Sequence, residues 1–290
     1  MCVESQLRSV SIMIFVAGDE SMDETQQRVC AVAGVVGPEL AWQQIEPQWL
    51  ARNEGVPFHA NNCESDQGVY ADRPHADNLA LYRDLTTMIA STAGLGGFGV
   101  AIDLMALRSV FPESENLAYY RAFMAVVEGM KNCALYNREI AELTFDTRME
   151  SNHNAGLLYA ILREDEPEWA PYLGKKISFE NSRDNSRIQT ADLFAREAMK
   201  ALDNFVGPVK RPIRGAWKAL KDTERFHVEA YGIDWFTDLK KNYSELERKV
   251  GFCKQDYVDW LKARSRQHNV TAMFQFMAWI GKHRQPPVPG

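Results

Sequence analysis

Two apolar stretches lie close together near the start of the chain, residues 11–19 and 28–36, with eight residues between them that include polar, turn-compatible types. So short a gap makes an antiparallel hairpin the economical connection, and the rest of the fold must be built on a sheet that starts that way. The first stretch, "IMIFVAGD", runs straight into acid: Asp19, Glu20, Asp23 and Glu24 arrive within six positions. Carboxylates crowded at the end of a core strand repel one another. Either the strand surfaces there and they are solvated, or a positive charge belongs between them.

After the hairpin, Trp42, Ile45, Trp49 and Leu50 recur at helical spacing, although Pro47 is expected to bend or break that helix. A loop by composition, "GVPFHANNCESDQG", and a helix over about 77–90 complete an insert spanning about 38–93. Strand and helix then alternate. Strands are expected over 94–104, 140–146 and 175–181, and helices over about 116–133, 153–164 and 186–204. That order is α/β. Residues 1–204 make the core on this reading and 205–290 a helical extension, with Trp217, Trp235, Trp260 and Trp279 as packing anchors.

Acids fall at three places along this order. Asp19 closes the first strand, Asp146 closes "ELTFD", and Asp192 sits in "IQTADLFARE". In the ribonuclease H-like fold, an antiparallel three-strand meander leads into parallel strands. An Asp on the first strand, one ending the fourth and one on the last helix then converge. The succession "GDES", "FHA…E", "FD" and "IQTAD" resembles the domain-of-unknown-function 3800 family of that superfamily, over roughly residues 12–204. The chain departs from the family's more usual Gly after Asp-Glu-Ser, having Met22 there. The resemblance implies a ribonuclease H-like mixed sheet flanked by helices, with a helical insert after the first hairpin and a helical C-terminal extension. It also implies Asp19, Asp146 and Asp192 as metal ligands.

The chemistry of such a set is independent of the resemblance. Carboxylates forced together cannot all stay ionised without a cation, and hard oxygen ligands suit Mg²⁺ or Mn²⁺. Two such ions about 3.5–4 Å apart clamp the attacking and leaving oxygens of a phosphoryl displacement. Asp192 shares a helix face with Ile188, Ala191, Ala195, Met199 and Leu202, where an unpaired acid is costly to bury. Asp19 could instead start a turn, and Asp146 could cap a loop. Gln189, one turn before Asp192, can bond it or reach substrate, and His59 can shuttle protons. For a fourth ligand the family places an acid after Phe-His, here Glu64, whereas ribonuclease H proper uses a Glu on the helix after the third strand, here Glu128. Glu64 is the first choice. Glu20 should face away from Asp19, since neighbours on a strand point to opposite faces.

Charge is unevenly spread. The net charge is −6, yet residues 205–290 hold 16 Lys and Arg against 9 Asp and Glu. Lys210, Arg211 and Arg214 form the densest basic group and are expected to meet nucleic-acid phosphates, unless they merely solvate the tail. No phosphate-binding Gly-Lys loop, nucleophile elbow or His-Glu-x-x-His motif occurs, and "GLGGFG" precedes a strand instead of following one. Five scattered cysteines without a C-x-x-C pair suit a reducing cytoplasm. Neither a secretory leader nor a membrane span is expected. The expected function is metal-dependent cleavage of nucleic-acid phosphodiesters. The alternatives are an inactive scaffold that binds nucleic acid or protein, and a phosphohydrolase of small nucleotides.

Overall fold

The computed structural model describes residues 13–112, 117–148, 152–165 and 170–250. Strand β1 (Met13–Met22) pairs antiparallel with β2 (Val29–Pro38), which pairs antiparallel with β3 (Gly96–Asp103). On its other side β1 takes β4 (Ile140–Asp146) in parallel, and β4 takes the short β5 (Ser178–Glu180) in parallel. A sixth strand, β6 (Phe226–Tyr231), runs parallel to β3 at the far edge, giving the order β5-β4-β1-β2-β3-β6. The result is an α/β fold with a mixed sheet flanked by helices, consistent with the ribonuclease H-like arrangement.

Alternation along the central strands sorts side chains into two cores. From β2, Val32 faces one layer and Ala33 the other, and both are fully buried. The first layer holds α4 (Leu104–Val110), α5 (Leu117–Asn137), α6 (Asn152–Asp165) and α9 (Ile233–Val250), with Phe123, Val126 and Met130 of α5 packed on the sheet. The second holds the insert, α1 (Glu39–Arg52), α2 (Ala60–Glu64) and α3 (His75–Ser91), together with α7 (Ser186–Val206) and α8 (Gly215–Lys221). Helix α7 crosses β1, β2 and β3 and is buried almost continuously from Ile188 to Met199. No helix among the described residues is long and apolar enough to cross a membrane.

Three expectations are corrected. Asp19 does not close β1. The ladder continues through Asp19↔Ala33 to Met22↔Cys30, because β2 supplies partners that far and the turn forms only at Asp23. There Asp23 accepts from the amides of Thr25, Arg28 and Val29 and from the Thr25 hydroxyl, so this acid organises the turn. Pro47 does not break α1. It is exposed, as is Gln43, whose carbonyl loses its helical partner, while Trp42, Ile45 and Trp49 hold the buried face. The tail is not helical throughout, since β6 separates α8 from α9. Its Phe226 packs edge-on against Phe194 of α7, with ring centroids 5.3 Å apart. Trp235 stacks on Tyr231 at 4.1 Å, an anchor as expected, whereas Trp260 and Trp279 lie outside the described residues.

Candidate functional site

Parallel pairing sets Gly18 of β1 against Phe145 of β4, which brings Asp19 and Asp146 side by side at the next position. Gly18 is required there. The Phe145 ring stands 2.4 Å from where a Cβ on Gly18 would lie, so any side chain would collide with it. Asp192 reaches the same place from α7. Asp19 and Asp192 are 6% and 7% exposed, which is little for two acids so close to one another.

Their electrostatics follow from that crowding. Burial pushes the Asp19 carboxyl well above its ordinary range, and the charges of Asp192, Glu20 and Asp146 push it further, against one hydrogen bond from the Glu20 amide at 2.7 Å. Burial also raises Asp192, although His59, the Ala60 amide and Arg196 pull the other way. Glu20 does face away from Asp19, as expected, yet the charges of the other acids still reach it. Burial drives it up, Arg148 lowers it and Asp146 and Asp192 raise it again, leaving it at about 7. Strand alternation turns Glu20 toward the α5 layer, where burial and then the Glu20 charge raise Tyr119.

Hydrogen bonds fix the acids from behind. The Ser182 amide donates to Asp146 Oδ1 at 2.8 Å and the Ala60 amide to Asp192 Oδ2 at 2.8 Å. His59 Nδ1 lies 3.5 Å from the same Asp192 oxygen, with more than half of its side chain exposed. Gln189 is not free to meet substrate. Its Oε1 accepts from the Trp49 indole and the Phe58 amide, and its Nε2 donates to the Ser182 carbonyl. It ties together the two segments that hold Asp192 and Asp146, so its part is structural.

Two expected ligands are elsewhere. Glu64 is engaged by Arg196, with Oε2 2.8 Å from Nη2, and by Arg214 through its other oxygen. Burial would raise its pKa, but those arginines hold it below the ordinary carboxylate range. Glu64 is therefore taken up in ion pairs and is not offered to a cation. Glu128 is exposed on α5 and lies near Tyr231 of β6, far along the sheet from Asp19. Glu20, paired with Arg148 at 3.3 Å, is the further acid whose charge acts on Asp19. Among the basic residues, Arg214 is clamped by Glu197 and Glu64 and is not a phosphate contact. Lys210 and Arg211 are exposed, with Lys210 bonded to the Phe205 and Gly207 carbonyls.

No family model matches the chain, and neither a search of curated proteins nor one of solved structures finds a match. The site must be read from its own geometry. A cleft of about 350 Å³ opens beside the acids and is lined by Glu20, Asp192, His59, Asn61, Arg148 and Arg196, with the tip of the β1–β2 hairpin along one side. The two arginines escaped the sequence reading. Arg148 could have been suspected, two positions after Asp146. Arg196, one turn after Asp192, is on the buried face of α7. Among the described residues no three His, Cys, Asp or Glu side chains close around a common point, so the acids adjoin without enclosing one.

Proposed function

We propose that the protein is a metal-dependent hydrolase of nucleic-acid phosphodiesters. The observation that supports this best is the convergence of Asp19, Glu20, Asp146 and Asp192 from two strands and a helix, with Asp19, Glu20 and Asp192 raised by burial and crowding. A buried cluster that holds protons so tightly is a cost to the fold unless a cation relieves it. The donors are all carboxylate oxygens, which fit Mg²⁺ or Mn²⁺. Asp19, Asp146, Asp192 and Glu20 would hold the ions, which when bound would supply an activated water and charge stabilisation for phosphoryl displacement. His59, half-exposed beside Asp192, is placed to move a proton at the cleft mouth. Gln189 and Ser182 keep the acids in register. Arg211, exposed in the tail, would meet a phosphate backbone, and a cytoplasmic setting suits the buried free thiols of Cys30 and Cys63.

Thermal unfolding with and without Mg²⁺ or Mn²⁺ tests this. The ions should raise the melting temperature of the wild type and not that of Asp19→Asn, because a ligand of the folded state alone stabilises it by mass action. An equal shift in both would remove Asp19 from the site. A second reading, a scaffold that binds without cleaving, is favoured by the engagement of Glu64 with two arginines. A wild type that binds nucleic acid but cleaves neither DNA nor RNA in either metal would decide for it.

A further inference from the structure

Two arginines line the cleft beside the acids, Arg196 almost fully buried and Arg148 lying over an aromatic ring. Arg196 is 3% exposed and lines the cleft one turn beyond Asp192. Its Nε donates to Glu64 Oε2 at 2.9 Å and its Nη2 stands 2.8 Å from the same oxygen in an ion pair, while Nη1 takes no part in that contact. Behind Glu64 stands Arg214, fixed in turn by Glu197 at 2.8–3.0 Å, and Glu197 also accepts from the Tyr82 hydroxyl at 2.7 Å. Two arginines against two glutamates leave the network without net charge. Arg196 pulls on Asp192, but the network as a whole brings little net charge to the acid cluster. What it does is hold one guanidinium in one orientation with an edge left over.

Arg148 lies two residues beyond the end of β4. It lies over the Tyr119 ring of α5, 5.3 Å from the centroid, and its Nη1 is 3.3 Å from Glu20 Oε1 without meeting hydrogen-bond geometry. A planar donor on each side of a carboxylate cluster matches the oxygens of a phosphate group, which guanidinium forks bind with directed, charge-assisted hydrogen bonds. We propose that Arg196 and Arg148 form a two-sided clamp for the substrate phosphate, with Glu64, Arg214 and Glu197 as positioning residues behind Arg196. This inference rests on the phosphodiester reading above and names the groups that hold the phosphate within it.

The test uses Arg196→Gln, Arg148→Gln and Glu64→Gln in the full chain. Binding of short labelled single-stranded DNA and RNA is measured in Ca²⁺ over a range of salt, and cleavage in Mg²⁺. Each arginine variant should bind about tenfold to a hundredfold more weakly. Its plot of log affinity against log salt should be shallower by about 0.7, the share of one phosphate contact on a single strand. Glu64→Gln should lower kcat while leaving that slope unchanged, because the guanidinium charge stays and only its direction is loosened. Folded arginine variants with wild-type affinity and slope would overturn the clamp while leaving the hydrolase reading intact. Should Arg196→Gln fail to fold, Arg148→Gln on the other wall decides alone. A wild type that binds neither oligonucleotides nor inorganic phosphate would overturn the hydrolase reading and the clamp with it.

Discussion

Helix α7 carries two buried acids little more than a turn apart, and the chain treats them in opposite ways. Glu197 has no exposed surface, yet it is matched by Arg214 and the Tyr82 hydroxyl, and its neighbour Glu64 by Arg196 and Arg214. Asp192 is buried among Asp19, Glu20 and Asp146, and its contacts with His59, the Ala60 amide and Arg196 leave it still raised. The contrast shows that this fold can match a buried carboxylate with an arginine of its own. At Asp192, beside the cleft, His59 and Arg196 do not offset burial, and this imbalance is what the proposed metal would relieve.

The comparison can be broken most decisively at Asp192. Asp192→Asn keeps the shape of the side chain and a hydrogen-bond acceptor for the Ala60 amide while removing the charge. Unfolding in chelator should be close to that of the wild type, and phosphodiester cleavage should fall by several orders of magnitude. A stable variant that cleaves normally would sink the assignment. On the other side of the contrast, Arg214→Ala should cost about 3–5 kcal/mol in urea unfolding, because Glu197 is left buried with its main partner gone. A loss below about 1 kcal/mol would mean that Tyr82 and water suffice for Glu197.

The smallest expected effect is in pH dependence. Glu20 titrates at about 7 in the folded chain against an ordinary value of 4.5. The folded state therefore holds the proton more tightly, so the contribution of Glu20 is complete below about 4.5 and is lost as pH rises through about 7. Asp19 and Asp192 are raised as well and act in the same direction. The metal-free protein should lose stability across that window, and Glu20→Gln should flatten the loss, as read from denaturant midpoints at fixed pH values. A wild-type midpoint that rises with pH there would show that the acids are not crowded in solution.

How much of this could be read beforehand differs between the fold and the site. Strands with period-two or continuous apolar runs were legible, β4 to the residue, because local pattern decides them. The strand β6 was not, although "FHVEAY" does alternate; six residues between two helical stretches carry too little signal, and the pairing that fixes them lies on β3. That Asp19, Asp146 and Asp192 lie near one another was suggested by the family resemblance, and their mutual electrostatics agree with that nearness. Glu64, Gln189 and Arg214 were misassigned for one reason. Each looks reactive in sequence, and each is consumed by partners up to 150 residues away that only the tertiary structure brings within reach.

The collision that keeps residue 18 a glycine has a genetic consequence. Phe145 directly precedes Asp146 and its ring covers Gly18, which directly precedes Asp19, so one contact governs where two acids on neighbouring strands emerge. A methyl group added at position 18 would push the ring aside and move both strand ends. In a screen for lost activity, Gly18 would score beside the carboxylates while possessing no chemistry of its own. Among selected revertants, smaller residues at position 145 would be the suppressors to look for.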